Sequence, residues 1–326
     1  MMPAVGVAIT TYNQARYIGE TIESVLRQST APAEIVVIDD GSTDDTPWIL
    51  ERFRPHIRII RQRNGGVAIA RNTAVQACSA DFVALLDGDD LWHPHKIRRS
   101  LQLIERFQPV SLLAHDIDCV SDGGATLRRG QVGVQLRRVT EQDAALVDCL
   151  APLLECNFIW TTSQVVIKRN DYLSVGMSDP RFPVASDFDL YLRLALRSPF
   201  LLSREVLASW REHDDSASGS GWERHVNWAI GVVCVLKKAR RSGLFDTPVL
   251  EQRETAARRE LARDIYRREP TLGRWTTARL LARVAAQCGD PRSAVTGACV
   301  LAAPEWMRRL AAAATGISVS TSSADE

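Results

Sequence analysis

No run of about 18 uninterrupted apolar residues occurs in this 326-residue chain, so an ordinary membrane-spanning helix is excluded. No charge of one sign dominates either: 40 Lys plus Arg stand against 39 Asp plus Glu, a formal net charge of +1. That balance lacks the strongly basic character of a nucleic-acid binder, and no nucleic-acid partner is expected. Seven cysteines are present, but they are odd in number, scattered, and without a CxxC spacing. A zinc ribbon or a disulfide scaffold is thereby disfavoured, and most of them read as small buried hydrophobes. The dinucleotide fingerprint GxGxxG is missing, which weakens an oxidoreductase reading. The opening MMPAVGVAIT lacks the basic start and long apolar stretch of a signal peptide. The expectation is a soluble, cytoplasmic chain.

What is present is ordinary globular chemistry, 45% hydrophobic and 24% charged, in a length suited to two domains. The near-neutral total conceals an asymmetry. Residues 222–310 carry a net charge of +8, and residues 1–221 a net of −5.

Along the chain, apolar runs alternate with helical periodicity. Val5–Thr10, Glu34–Ile38, Ile57–Ile60 and Phe82–Leu86 read as strands, the last with no alternation at all. Between them lie helical patterns through Ile18, Ile22, Val25 and Leu26, after Thr43 or Asp44, and from Val67 to Ala77. Strands buried on both faces and separated by helices predict an α/β fold with a mostly parallel, Rossmann-like central sheet flanked by helices. Farther on, Val110–Ala114, Ser163–Ile167 and Phe200–Leu207 read as strands; Asp143–Glu155 and Asp187–Leu196 read as helices. Asp122–Gly133 has the composition of a hairpin or mobile loop. The run DDSASGSG at 214–221 is the clearest linker, and apolar spacing beyond it is helical. The predicted organisation is a domain over 1–216, a helical region over 217–315 and a disordered tail over 316–326.

Ligands of doubly wound sheets sit outside the carboxyl ends of the strands. Three polar clusters fall at such ends: Thr10-Thr11-Tyr12-Asn13, Asp39-Asp40-Gly41-Ser42 and Asp87-Gly88-Asp89-Asp90. One acidic turn is unremarkable, because Asp is a normal turn residue. Two acidic clusters at one sheet edge cost free energy unless a cation or donor group offsets them.

The segments VAITTYNQARYIGETIESVLRQS, EIVVIDDGSTDDT, NGGVAIARNTAV and DFVALLDGDDLWHPHKI resemble the family 2 glycosyltransferases of GT-A fold, densely over 4–97 and more loosely to about 216. The resemblance implies a catalytic domain over 1–216 that takes a nucleoside-diphosphate-sugar donor, a UDP-sugar favoured, and transfers the sugar with inversion to a glycan or lipid-linked acceptor. It implies that Asp40, with Asp39 beside it, accepts the uracil imide N–H. Thr10 and Tyr12 would touch the donor from the first strand, although Thr10 could equally cap its own backbone. DGDD resembles the DxD motif. There Asp89 is a ligand for Mn²⁺ or Mg²⁺, with Asp87 or Asp90 beside it and one of them free to hold ribose. Asn64, Gly65, Arg71 and Asn72 correspond to an NxG…ARN element, in which Arg71 either faces a phosphate or balances the acidic turns.

The run VASDFDLYLRLA aligns with the family's helix bearing the catalytic base and points to Asp187, with Ser186 where a Glu is usual. Asp187 could instead simply cap its helix, and Asp189 reads as structural. Trp210-Arg211-Glu212-His213 resembles a YRxH element, which places His213 near metal or diphosphate. Trp92 could shape the sugar pocket or plug the core. Beyond the linker, Arg259, Arg263 and Arg267, then Arg279 and Arg283, recur every four residues. Such helices suit peripheral contact with an anionic membrane at its inner face, or only a solvated salt-bridged face. Self-association as a homo-oligomer remains open. The rival readings are an inactive nucleotide-sugar-binding or assembly subunit, and a sugar nucleotidyltransferase. The latter usually has a Gly-rich basic loop after its first strand, where this chain has TTYNQARY.

Overall fold

A computed structural model describes residues 3–213, 222–243 and 247–267. The chain divides into two compact units between Ser220 and Gly221. The expected boundary at 216/217, the tail 316–326 and the arginines Arg279 and Arg283 lie outside the described residues.

The first unit begins with β1 (Val5–Thr11), α1 (Ile18–Leu26), β2 (Ile35–Asp39), α2 (Thr46–Glu51), β3 (Arg58–Arg61), α3 (Val67–Ala77) and β4 (Phe82–Asp87). It continues with β5 (Leu91–Trp92), α4 (Lys96–Arg106), β6 (Leu112–Ser121), β7 (Thr126–Arg129), α5 (Val132–Arg137), β8 (Ala144–Val147) and α6 (Leu150–Glu155). A single 3-10 turn at Thr162–Gln164 leads into β9 (Val165–Lys168), followed by α7 (Arg169–Ser174), α8 (Ser186–Ala195) and β10 (Phe200–Glu212).

One sheet joins all ten strands in the order β3-β2-β1-β4-β9-β6-β10-β5, with β7 paired to β6 and β8 to β10. The run β3-β2-β1-β4 is parallel, as is the pair β6 and β10, whereas β9 lies antiparallel to both β4 and β6. Every residue of β1 and β2 is buried, as expected of strands covered on both faces. The covering helices turn a stripe inward. In α1 that stripe is Ile18, Thr21, Ile22 and Val25, the spacing of one helical face. Because β1 sits between β2 and β4, the carboxyl ends of three parallel strands open on one edge.

One expectation changes, and the hairpin expected over Asp122–Gly133 is present as the antiparallel pair of β6 and β7. The segment 143–155 is not one helix: Ala144–Val147 is an edge strand, antiparallel to β10 through Leu201↔Leu146 and Leu202↔Ala145, and only Leu150–Glu155 is helical. Asp122–Gly133 resolves into a tight turn, with Gly124 at φ 85°, then the short strand β7 and the start of α5. Asp116 ties that region down by accepting from Gly133 N at 3.0 Å.

The second unit contains α9 (Trp222–Ser242) and α10 (Thr247–Arg267). Val226, Ile230, Val233 and Leu236 are buried along α9, and Leu250, Ala257, Leu261 and Ile265 along α10. The buried Glu254 pairs with Arg240 at 2.8 Å and also with Arg258. Among the described residues, no helix is long and apolar enough to cross a membrane.

Candidate active site

The three polar clusters expected at strand ends meet at the open edge of the sheet. Thr10 at the end of β1 is opposite Asp87 at the end of β4 in the strand register. Gly88 N donates to Thr10 O at 2.9 Å, and Asp40 N to Thr11 O at 2.9 Å, so each acidic turn is hung from β1 by a backbone bond. Gly88 has to be glycine there, since a Cβ would come within 2.9 Å of the Thr11 side chain.

Asp39 and Asp40 are both buried and both engaged. Asp39 accepts from Ser42 N at 2.8 Å, and the Arg61 guanidinium lies 3.3 Å from its other oxygen. Asp40 accepts from Gln62 Nε2 at 2.6 Å, Gly65 N at 3.0 Å and Gly66 N at 2.8 Å. It therefore holds the Asn64-Gly65-Gly66 turn against the end of β2. Gly41 permits this with φ 83°, where a Cβ would press within 2.8 Å of Asn64 N. Asn64 and Gly65 stay exposed beside the turn, and Tyr12 is exposed above it.

Asp87 is the hub. Its carboxylate lies 3.1 Å from Arg71 Nη2 and accepts from Thr162 Oγ1 at 3.1 Å, Thr161 Oγ1 at 3.2 Å and, more loosely, Thr10 Oγ1 at 3.5 Å. Arg71 reaches it from α3 and is buried. Desolvation works against its charge, but the carboxylates of Asp87 and Asp187 outweigh that and raise its pKa. Asn72, the next residue, has a structural role: it donates to Ser178 O at 2.8 Å and accepts from Ser178 N at 3.0 Å.

Asp187 stands in the first turn of α8, with Ser186 buried before it. Burial pushes its carboxyl above the ordinary 3.8, Arg71 pulls it back down, and Asp87 adds a smaller upward push. A raised pKa makes this carboxylate a stronger base than an exposed Asp, which suits it to accepting a proton. Tyr191, one helical turn on and facing the same charges, is fully buried with no hydrogen bond at its hydroxyl. Asp189 pairs with Arg193 at 2.6 Å, the structural role read from its spacing.

The last two acids of DGDD separate. Asp89 faces His213, with Nε2 3.0 Å from its Oδ2 and the other imidazole nitrogen buried without a hydrogen bond. Asp90, expected beside them as a metal ligand, points the other way. It is fully buried, accepts from Arg211 N at 2.9 Å and Thr161 Oγ1 at 3.3 Å, and bonds Ser163 Oγ. Burial, then Asp89 and Asp87, push its carboxyl well above the usual range. Both its oxygens are already engaged by donors from β10 and the turn before β9, so in this structure the carboxyl ties those segments together. Among the described residues no group of three or more His, Cys, Asp or Glu is arranged to hold a metal.

Two contributors escaped the sequence reading. Thr161-Thr162-Ser163 supplies hydroxyls to both Asp87 and Asp90, and its one signal was a hydroxyl run directly ahead of a buried strand. Tyr17 stacks on His213 with ring centroids 4.4 Å apart and carries the Arg211 guanidinium 4.9 Å from its centroid. Trp92 is a core residue whose Nε1 donates to Ser163 O at 2.9 Å, not a wall of the pocket.

The chain is similar to several known proteins. Residues 6–147 match the Glycosyl transferase family 2 model. They are a family 2 glycosyltransferase domain. An uncharacterized glycosyltransferase of Nostoc is 33% identical over 217 residues, covering 64% of this chain and 65% of that protein. Chondroitin synthase of Escherichia coli is 39% identical over 103 residues, 31% of this chain and 15% of the synthase. A putative teichuronic acid biosynthesis glycosyltransferase of Bacillus subtilis is 38% identical over 125 residues, covering 35% of this chain and 49% of that protein. The aligned stretches thus leave a third or more of each of these relatives unmatched. Among solved structures, Staphylococcus aureus TarS 1–349 in complex with UDP-GlcNAc superposes with a TM-score of 0.62 at 17% identity, covering 96% of this chain and 92% of that one. That likeness establishes a GT-A-like α/β fold for the family 2 domain.

Proposed function

We propose that the protein transfers a sugar from a nucleoside-diphosphate donor, with UDP favoured, to a hydroxyl of a glycan or lipid-linked acceptor with inversion at the anomeric carbon. The observation that carries this reading is the chain Asp87–Arg71–Asp187, which joins the donor-side acids of β4 to a carboxyl of raised pKa on α8. Support for a nucleotide-sugar donor comes from the family match and from the UDP-GlcNAc complex of TarS.

In this reading Thr10, Tyr12, Asp39, Asp40, Asn64 and Gly65 line the nucleoside end. Asp39 and Asp40 reach the base only through lone pairs left over from the bonds described above. Arg71 and Asp87 border the sugar-phosphate. Asp187 takes the proton of the attacking acceptor hydroxyl, and Arg71 keeps it ionised until then. Asp89 and His213 are the donors that fit a divalent cation. They are adjacent, and Mg²⁺ commonly takes only one or two protein ligands beside substrate phosphates. Asp90 is left out of that set. The cation, when bound, would neutralise charge on the departing diphosphate. Asp89→Ala is expected to raise the half-saturating Mn²⁺ concentration on the order of 10–100-fold, taking ligand-sphere losses as the guide. Sugar-nucleotide turnover titrated with Mn²⁺ checks it, and an unchanged titration would remove Asp89 from the site.

The basic repeat near the end of the chain is proposed to rest on anionic lipid and present a lipid-linked acceptor. Flotation with anionic vesicles at low salt should carry the full chain upward, and neutral vesicles should not. Equal recovery with both would sink this proposal.

A further inference from the structure

Outside the acids and their partners, two tryptophans and an ion pair form a group that donor chemistry does not use. Trp160 and Trp210 are half-buried, edge to face, with ring centroids 6.2 Å apart. The Arg128 guanidinium lies 5.3 Å from the Trp160 centroid and 5.2 Å from that of Trp210, and Arg128 Nη1 is 3.0 Å from Glu212 Oε2. The sheet builds this group. Arg128 on β7 and Trp210 on β10 both pair with Cys119 of β6, so the three occupy one row across three strands. Arg128 comes from the short exposed hairpin strand and keeps 46% of its side chain exposed.

The group adjoins the site along the chain. Trp160 precedes Thr161, which donates to Asp87 and Asp90, and Glu212 precedes His213, which holds Asp89. The group is thus joined along the chain to the residues that hold the proposed donor acids from two separate segments. The chemistry on offer is specific. Tryptophan faces receive the C–H face of a pyranose, since the ring's negative face meets polarised C–H bonds. An Arg–Glu pair supplies adjacent donors and acceptors, the complement of neighbouring sugar hydroxyls. The two charges cancel, so nothing in the pair favours an anion.

We infer that Trp160, Trp210, Arg128 and Glu212 form an acceptor subsite for a neutral hexopyranose. This rests on the glycosyltransfer reading and assigns that reaction the class of its acceptor. The sugar packs its C–H face against tryptophan surface beside the guanidinium, and its hydroxyls divide between the guanidinium and the carboxylate.

Saturation-transfer NMR on the full chain tests this with methyl β-glucoside, methyl β-galactoside and methyl N-acetyl-β-glucosaminide, against methyl β-glucuronide. At least one neutral glycoside should receive saturation at its C–H protons. Its affinity should weaken roughly 3–10-fold in Trp160→Ala, the scale of one aromatic contact. Arg128→Met, which spares the core contacts of Trp210, should weaken it as well. Circular dichroism shows whether each variant is folded. Signals that survive both substitutions overturn the subsite, as does no signal from any neutral glycoside, or a preference for the glucuronide. UDP calorimetry on the wild type separates this from the parent reading. UDP binding without glycoside binding sinks the subsite alone. Glycoside binding with the expected losses but no nucleoside-diphosphate binding sinks the glycosyltransfer reading and leaves a saccharide site.

Discussion

Asp187→Asn is expected to lower kcat for sugar transfer by about 10²–10⁴-fold, the usual contribution of a positioned general base. UDP affinity should move little, because the amide keeps the shape of the carboxyl and no donor group has been removed. The same carboxyl should set the acid limb of the pH profile. A base works only when ionised, so activity is present above its folded pKa and is lost as pH falls through it. Burial raises that pKa above 3.8, which places the limb higher than an exposed Asp would. Arg71 opposes the shift, so Arg71→Met should move the limb to still higher pH. Rate profiles over the acid range read both effects. A limb that stays put in Arg71→Met, or wild-type kcat in Asp187→Asn, would give the base to another residue.

Lys96→Met is expected to stabilise the protein at neutral pH by roughly 2–4 kcal/mol, and the gain should disappear in alkali. Lys96 is fully buried on α4, its Nζ has no hydrogen-bond partner, and it lies 5.2 Å from the Trp92 ring centroid. Desolvation lowers its pKa from 10.5 to about 7. Between those two values the unfolded chain binds a proton that the folded chain does not. Stability of the native protein should therefore rise from pH 7 toward 10.5 and be at its low plateau below pH 7. Methionine has no proton to lose, so that slope should vanish in the variant, while its thioether fills the space of the stem. Urea unfolding across this range measures the difference. A variant no more stable at pH 7, with the native slope intact, would mean that the amine is not the source of the cost.

Much of the first hundred residues was legible because the determining interactions are local. The runs VGVAITT and FVALLD have no polar face to show, and α1 and α3 carry the apolar spacing of covering helices. The acidic turns follow those strands directly, so the strand pattern also located the carboxylates. The later half was less legible. Ala144–Val147 has nothing in its sequence that separates a strand from the helix expected there. Its hydrogen-bond partners are Phe200–Ser203, more than fifty residues away, and that pairing decided the matter. The same holds for the companions of Asp87. Thr161 and Thr162 are 74 and 75 residues distant, and no spacing rule spans that interval.

The composition, with nearly equal charges and no long apolar run, determined a globular chain that folds by burying strands between helices. The order of its motifs determined the family and the strand ends where chemistry would sit. Only the tertiary structure divided four neighbouring acids into different tasks. Asp87 became the hub for Arg71 and three threonines, Asp89 went to His213, Asp90 was sealed against Ser163, and Asp187 was carried to the same arginine from another helix. The physical reason is that a carboxylate's role depends on its desolvation and on which donors reach it. Those donors come from α3, from β10 and the residue after it, and from the turn before β9, and nothing in their spacing along the chain says where the sheet will bring them.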